Sequence, residues 1–451
     1  MLAKNQVYTV TIGGYSGEGM GVARIDGRVV FVHGALRGET CEVLILKVLK
    51  SVAFAKVQKI ISQSDARIAS DCKYFPRCGG CTYRHMSYDE ELLLKKQRVQ
   101  DALARIGGSD VVVEEILGGE DTLRYRNKAQ YPVSATGAVG FYRARTHEVI
   151  ECEHCLLVQR EAEAAAEALR RYLTKYAVSC YDETTGRGLV RHLYVRSNTK
   201  GECLICVLAN ADKLPHEQAL VDMLREACPT AEGIVLGINT AKNNVILGDR
   251  YRTLWGADRL EDTLCGQTFH LSVPSFYQVN HAQCERLYAK AVEFAQLTGR
   301  ETVLDLYCGV GTIMLTMAKA AGKVIGAEIV PEAIADAKDN AARNGVTNAE
   351  FFCGDAGEIA ANLARDNLRL DVVCVDPPRK GLAADVVTTI AQMAPKRVVY
   401  VSCDPATLAR DVKRFAEAGY VAKRACTVDL FPRADHVETV VLLSKDRGRS
   451  I

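Results

Sequence analysis

Residues 398–411 read VVYVSCDPATLARD. An apolar run suited to a buried strand ends at Ser402, a thiol follows at Cys403, and Asp404-Pro405 opens a helical pattern. A thiol at the point where a strand stops can be packing, a redox group or a nucleophile, and its surroundings decide which. Other strand-like runs nearby also end in polar groups. "LDLYCGVGTI" (304–313) turns through Gly309 and Gly311, "KVIGAE" ends in Glu328, "AEFFCGD" in Asp355 and "LDVVCVD" in Asp376. In open α/β sheets the ligand sits outside the carboxyl ends of the strands, so these residues share one rim.

The glycine turn lacks the third glycine of a dinucleotide fingerprint, because Met314 stands in its place, and no phosphate cradle is complete. Glu328 lies 17 residues beyond Gly311 (328 − 311), where a carboxylate suits a ribose diol. Acids after several strands, a glycine turn and no phosphate motif fit S-adenosylmethionine, a nucleoside without a phosphate. Helix capping is the structural alternative for Glu328 and Asp355. Four coincidences in register outweigh it.

Asp376-Pro377-Pro378-Arg379 resembles the Asp/Asn-Pro-Pro-aromatic loop of methyltransferases acting on exocyclic amines, but Arg379 replaces the stacking aromatic and disfavours that reaction. Cys403 points to another one. The C5 carbon of a pyrimidine is not nucleophilic until a thiolate adds to C6 and generates an enolate. A base must then remove the C5 proton so that the thiolate can leave. Glu438, in "HVETVVLL", is the candidate base. Its structural alternative is a surface carboxylate, and spacing alone prefers neither.

A second chemistry-bearing group is Cys72-x5-Cys78-x2-Cys81, with Gly79 and Gly80 allowing tight turns. Three thiols so spaced in a loop point to a metal. "ECEHCLLVQ" offers Cys152, His154 or Cys155 as a fourth ligand, and zinc with four sulfurs is one reading. The CxxxCxxC spacing of radical enzymes is absent. The chain has 17 cysteines, an odd number, which in a reducing compartment argues against a disulfide framework. Cys203 and Cys206 form a CxxC inside an apolar strand-like run and read as core, as do Cys180, Cys228, Cys265, Cys284, Cys353, Cys374 and Cys426.

These groups need elements to position them. At 451 residues, two or three domains are expected. Residues 6–61 carry five short strand patterns separated by turns, with Asp26-Gly27 the best hairpin signal, and predict a small β-barrel. Arg24, Arg28, Arg37, Lys47, Lys50 and Lys56 recur through it, as on a solvated face or on a platform for single-stranded RNA. Residues 87–106 predict a helix capped by Ser87. From about 123 to 265 strands alternate with two helical patterns, an α+β arrangement, and "RYRNKAQYPV" interleaves arginine with tyrosine. From 266 onward strand runs alternate with helices, the rhythm of a doubly wound sheet. The fold class is therefore multidomain: barrel 1–61, central α+β domain 62–265 with the cysteine loop and linking helix, and α/β domain 266–451. Net charge is +2, so any nucleic-acid surface must be local. No apolar run approaches the roughly 18 residues that span a bilayer, and a cytoplasmic location without membrane attachment is expected.

Together "SCDPATLARD", "DPPRKGL", "DLYCGVGTI", "FYQVNHAQ" and "ADHVETVVLL" resemble the RNA uracil-C5 methyltransferases, with the 23S ribosomal RNA branch the best likeness. The resemblance implies Cys403 as nucleophile and Glu438 as base. It implies S-adenosylmethionine contacts at Gln278, Tyr307, Glu328, Asp355 and Asp376. It implies a TRAM domain in the barrel and a [4Fe-4S] cluster on Cys72, Cys78, Cys81 and Cys155. Asp404 departs from the asparagine that many members carry after the cysteine. The partner expected is RNA, 23S ribosomal RNA first, with no obligate protein partner. Small transfer RNA enzymes of the family resemble the catalytic part without barrel or cysteine loop, which disfavours transfer RNA. The alternative from another class is a catalytically idle RNA-binding or assembly protein. Methylthiolation is rejected by the cysteine spacing.

Overall fold

The structure is a computed structural model that describes residues 2–366 and 368–445. It begins with β1 (Val7–Thr11), β2 (Gly14–Tyr15), β3 (Gly21–Ile25), β4 (Arg28–His33), β5 (Thr40–Val48) and β6 (Val52–Ser62), in the order β1-β5-β6-β4-β3-β2. β1 and β2 are the two ends of that order, yet only Ile12 and Gly13 separate them, so the sheet must curl round on itself. Alternation drives the curl: Cys41, Val43 and Ile45 of β5 point inward against Val30 and Val32 of β4. The hairpin expected at Asp26-Gly27 is present, with both residues at positive φ (49° and 77°) as a type I′ turn requires.

After the cysteine loop comes α1 (Tyr88–Arg105), its first turn capped by the Ser87 hydroxyl, which accepts from the Glu90 amide. Next come β7 (Val113–Leu117), β8 (Lys128–Pro132), a hairpin of β9 (Gly140–Tyr142) and β10 (Val149–Glu151), α2 (Arg160–Lys175), β11 (Val190–Ser197), β12 (Cys203–Ala209), α3 (Glu217–Ala227), β13 (Ala231–Ile238) and β14 (Arg250–Gly256). The central sheet runs β14-β13-β12-β11-β8, with α2 and α3 packed on one face. Cys203 joins the core under those helices and Cys206 the core on the other face. Residues i and i+3 of a strand face opposite ways, so this CxxC cannot grip one metal ion.

The chain continues through β15 (Arg259–Leu264), β16 (Gln267–Ser272), α4 (His281–Ala295), β17 (Thr302–Leu306), α5 (Thr312–Ala318), β18 (Lys323–Glu328), α6 (Pro331–Arg343), β19 (Ala349–Cys353), α7 (Ala356–Arg365), β20 (Val372–Val375), α8 (Ala384–Met393), β21 (Arg397–Ser402), α9 (Pro405–Glu417), β22 (Tyr420–Val428) and β23 (Glu438–Lys445). Eight strands form one sheet in the order β19-β18-β17-β20-β21-β23-β22-β7. β23 is antiparallel to both neighbours, and the run from β19 to β21 is parallel. Strand order reverses between β17 and β20, which puts the ligand crevice at their carboxyl ends.

Pairing and packing link segments on either side of the boundary expected at 265/266. β7 pairs in parallel with β22, Val113 opposite Ala425, so it completes the C-terminal sheet. Val99 and Leu103 of α1 share an apolar core with Leu408, Ala409 and Val412 of α9. The β15–β16 hairpin, whose ladder includes Leu264 opposite Gln267, straddles residue 265. Pairing across some 300 residues leaves no local trace in sequence. Among the described residues, no helix is long and apolar enough to cross a membrane.

Candidate active site

β21 is buried along most of its length and stops at Ser402, whose hydroxyl accepts from the Asp404 amide at 3.2 Å. The Asp404 carboxylate then caps α9, accepting from Ala406 N at 3.0 Å and Thr407 N at 2.8 Å. An aspartate therefore does here what any capping oxygen would, and Pro405 at the first helical position completes a rigid turn. Cys403 sits in that turn, half-buried. The last registered pair of β21 and β23 is Ser402 with Thr439, so Cys403, just after β21, and Glu438, which opens β23, lie at the same end of the two strands, close enough for the acid to act on the thiol. Asp376 follows Val375, which is level with Tyr400 of β21. The Asp376-Pro-Pro-Arg379 loop is tied to α9 by Thr407, whose hydroxyl donates to the Arg379 carbonyl at 3.1 Å.

The electrostatics bind these residues into one site. Burial, then Asp376, pushes the Glu438 carboxyl up to about 8, against the pull of the Arg379 guanidinium. Burial also lifts Asp376 to about 7. Burial first, then Glu438 and Asp376, raises the Cys403 thiol to about 11, and Arg379 opposes this too. Glu438 is only 3% exposed, so the surface-carboxylate reading does not hold. Arg379 donates from Nη2 to His436 Nε2 at 2.8 Å, on the segment entering Glu438. A thiol, two carboxyls held near neutrality and one guanidinium can add to a ring, spread the resulting charge and then move a proton.

The acids of the cofactor rim lie beside this group. Glu328 accepts from Gly309 N at 3.1 Å and from Val330 N at 3.0 Å, which fixes both oxygens while leaving each a free lone pair for a hydroxyl. Asp355 caps α7 through one oxygen, accepting from Gly357 N and Glu358 N, so the capping alternative is real for it, and its second oxygen is free of that duty. Tyr307 takes a φ of 77°, strain of the kind stored at functional turns, and Asp355 acts on its phenol after burial in lifting it to about 12. Gln278 is buried on the segment leading to α4, its carbonyl accepting from Asn127 Nδ2 at 2.9 Å. Among the described residues it shares no hydrogen bond with the other four.

The structure adds residues that sequence reasoning passed over. Asp305, one residue from the carboxyl end of β17, is 1% exposed, and its carboxyl has no side-chain partner, with only the Met314 amide acting on it. Burial, Asp376 and Glu328 push it far up. A buried carboxyl without a side-chain partner, beside two further acids, fits a cationic group in the crevice, as the sulfonium or ammonium of S-adenosylmethionine would supply. A charged residue inside an apolar strand run was the available signal. Ile329, 62% exposed directly after Glu328, offers an apolar platform for a purine, and Phe276, 65% exposed two residues before Gln278, one for a base. Exposure of this kind leaves no signature in sequence.

The cysteine loop forms a separate site. A cavity of about 200 Å³ is lined by Cys72, Cys78, Cys81, Cys152 and Cys155 together with Arg84, Arg126 and Lys128. The buried Arg84 pairs through Nη1 with Asp71 and lies against the Cys81 thiol, and Arg126 Nε has no hydrogen-bond partner. Among the described residues no three ligating side chains sit close enough to hold one ion. Four sulfurs on one zinc lie about 3.8 Å apart, given a Zn–S bond of about 2.3 Å in a tetrahedron. The thiols line a cavity rimmed by cations. Cys152, a fifth thiol, hydrogen-bonds Cys155 and so draws that thiol down.

Residues 257–446 match the family described as tRNA (uracil-5-)-methyltransferase, and residues 3–58 match the TRAM domain. A protein of Listeria innocua described as an uncharacterized RNA methyltransferase is 42% identical over 98% of this chain and 99% of its own length. The chain belongs to the RNA methyltransferase family. A second such member, from Clostridium tetani, is also 42% identical, over 98% of this chain and 97% of its own. Among solved structures, the tRNA (uracil-54, C5)-methyltransferase of Pyrococcus abyssi in complex with S-adenosyl-L-homocysteine superposes with a TM-score of 0.76 at 26% identity. It covers 97% of this chain and 100% of its own. A chain that matches this one over nearly its whole length thus carries a transfer RNA name, and length alone does not separate the two RNA classes.

Proposed function

We propose that this RNA methyltransferase moves a methyl group from S-adenosylmethionine to C5 of uridine in 23S ribosomal RNA through a covalent Cys403–C6 adduct. The observation that carries the chemistry is Cys403 beside Glu438 on the rim that also bears Asp376, Glu328 and Asp305. S-adenosylmethionine supplies the methyl group as an electrophile. The Cys403 sulfur, as thiolate, bonds to C6, and the C5–C6 π pair becomes an enolate whose charge faces Arg379. C5 then takes the methyl group. The Glu438 carboxylate removes the C5 proton, the C5–C6 double bond re-forms, the C6–sulfur bond breaks and the thiolate returns. Glu328, Tyr307, Asp355, Asp376 and Gln278 hold the donor, and Phe276 stacks on the base. An idle binding protein has no use for a buried acid facing a thiol.

The cysteine cavity supports a [4Fe-4S] cluster on Cys72, Cys78, Cys81 and Cys155, with Arg84 and Arg126 offsetting its negative charge. A second substrate reading, a transfer RNA uridine, is favoured by the Pyrococcus structure. Mapping 5-methyluridine in 23S and transfer RNA of a strain lacking the gene separates them. Loss from 23S RNA alone is expected, loss from transfer RNA alone overturns the substrate, and no loss overturns the reaction.

A further inference from the structure

The segment that enters Glu438 is held from the other end of the chain. On α1, the fully buried Lys95 places Nζ 2.7 Å from Asp429 Oδ1, 2.8 Å from Glu91 Oε1 and 3.1 Å from the Phe431 carbonyl. Tyr88 donates its hydroxyl to the other Asp429 oxygen at 2.9 Å. Tyr125 donates to the Pro432 carbonyl at 3.0 Å. Arg433 is the centre of the arrangement. Its amide donates to Glu91 Oε1 at 2.7 Å, and its guanidinium donates to the Met86 carbonyl at 2.9 Å and lies over the Tyr88 ring. Its backbone takes a φ of 72°. Its carbonyl accepts two amides, Thr82 N at 2.8 Å and Tyr83 N at 3.0 Å. Those two residues directly follow Cys81.

Buried ion pairs give little net stability, since apolar side chains of similar volume often do as well. What such a network secures is a single arrangement of the groups it joins. A left-handed arginine persists only where its surroundings over-determine it, and such strain gathers at functional sites. Five residues after Arg433 stands Glu438, and three after it stands His436, the partner of Arg379.

We propose that the cysteine loop and α1 position the catalytic base: Arg433 is a positioning residue, and the Thr82 and Tyr83 amides on its carbonyl are the joint through which an ordered cysteine loop holds Glu438 against Cys403. The inference rests on the proposed reaction only for the step it affects. Whatever fills the cysteine cavity then acts on proton removal without touching the base being modified.

The test compares full-length holoenzyme with Arg433→Ala, Arg433→Lys and Cys81→Ser, reading decay of the protein–RNA adduct in a single turnover and hydrogen exchange over residues 429–437. Arg433→Ala is expected to slow adduct decay by about tenfold to 10²-fold, the scale of a misplacement near 1 Å, with KM for RNA unchanged. Exchange over 429–437 should rise with it. Arg433→Lys keeps the charge beside Glu91 and should restore most of both. Cys81→Ser should reproduce the exchange signature from a distance. Faster exchange in 72–84 with 429–437 unchanged would overturn the proposal, as would a KM effect without a rate effect in Arg433→Ala. If Cys81→Ser does not fold, the Arg433 pair still decides. If wild type forms no adduct with RNA containing 5-fluorouridine, the reaction is wrong, and the exchange measurements still judge the joint.

Discussion

Cys403 and Glu438 lie together just beyond the Ser402–Thr439 pair, the thiol in the turn that closes β21 and the acid opening β23. The Glu438 carboxyl acts directly on the Cys403 thiol, and Asp376 acts on both. One side chain can therefore bond to C6 while the other reaches the proton on the adjacent carbon. The two roles separate by mutation. Cys403→Ala should bind RNA and donor yet make neither adduct nor 5-methyluridine. Glu438→Gln should still add and methylate, with elimination slowed by roughly 10²–10⁴-fold, the share of a positioned base. The variant then accumulates as a slow band on a denaturing gel. An adduct in Cys403→Ala would remove the thiol from its role.

The same burial sets a pH dependence. Glu438 must be ionised to take a proton, and its carboxyl is raised to about 8. Adduct decay should therefore climb with pH and level off above about 8, while Glu438→Gln stays flat. Stability runs the other way. A carboxyl raised above its unfolded value of 4.5 binds more protons in the native state, so its contribution is fully present below that value and is lost as pH rises through about 8. Melting curves from pH 5 to 9 should show Glu438→Gln gaining on the wild type as pH rises. A gap between the two that does not change with pH would mean the carboxyl is not buried.

Local order was legible in the sequence, and pairing was not. Asp26-Gly27, Ser87 and Pro331 each marked a turn or cap by its own chemistry, and each does that work in the fold. Strand ends could be read as one rim because the doubly wound rhythm dictates where they lie. β7 could not, since its partner β22 lies some 300 residues away. For the same reason spacing could not decide Glu438, whose role depends on β23 lying antiparallel beside β21. Arg433 reads as an ordinary surface arginine until its carbonyl is seen to hold the cysteine loop.

Donor binding tests the cofactor rim without RNA. Glu328 has both oxygens fixed by the Gly309 and Val330 amides, so replacing it by Gln keeps the shape and removes the charge. Affinity for S-adenosylmethionine by calorimetry should fall by about 1.5–3 kcal/mol, the scale of hydrogen bonds to a charged group. Asp305→Asn should weaken binding as well, because a carboxyl that can ionise when the cation arrives becomes an amide that cannot. Unchanged affinity in both would place the donor elsewhere.

The last prediction concerns the cysteine cavity. Protein purified without oxygen should be brown and carry iron and acid-labile sulfide if four of the five thiols lining the cavity hold the proposed cluster. Zinc in a one-to-one ratio with no iron would overturn the cluster. Of the five, Cys152 is outside the proposed ligand set. Cys152→Ser should keep the iron, whereas Cys78→Ser and Cys155→Ser should lose it. Arg84→Met removes the guanidinium that lies against the Cys81 thiol. That change should make the cluster easier to oxidise, since a nearby positive charge favours the more reduced, more negative form. A potentiometric titration unchanged by Arg84→Met would show that the guanidinium does not face the cluster.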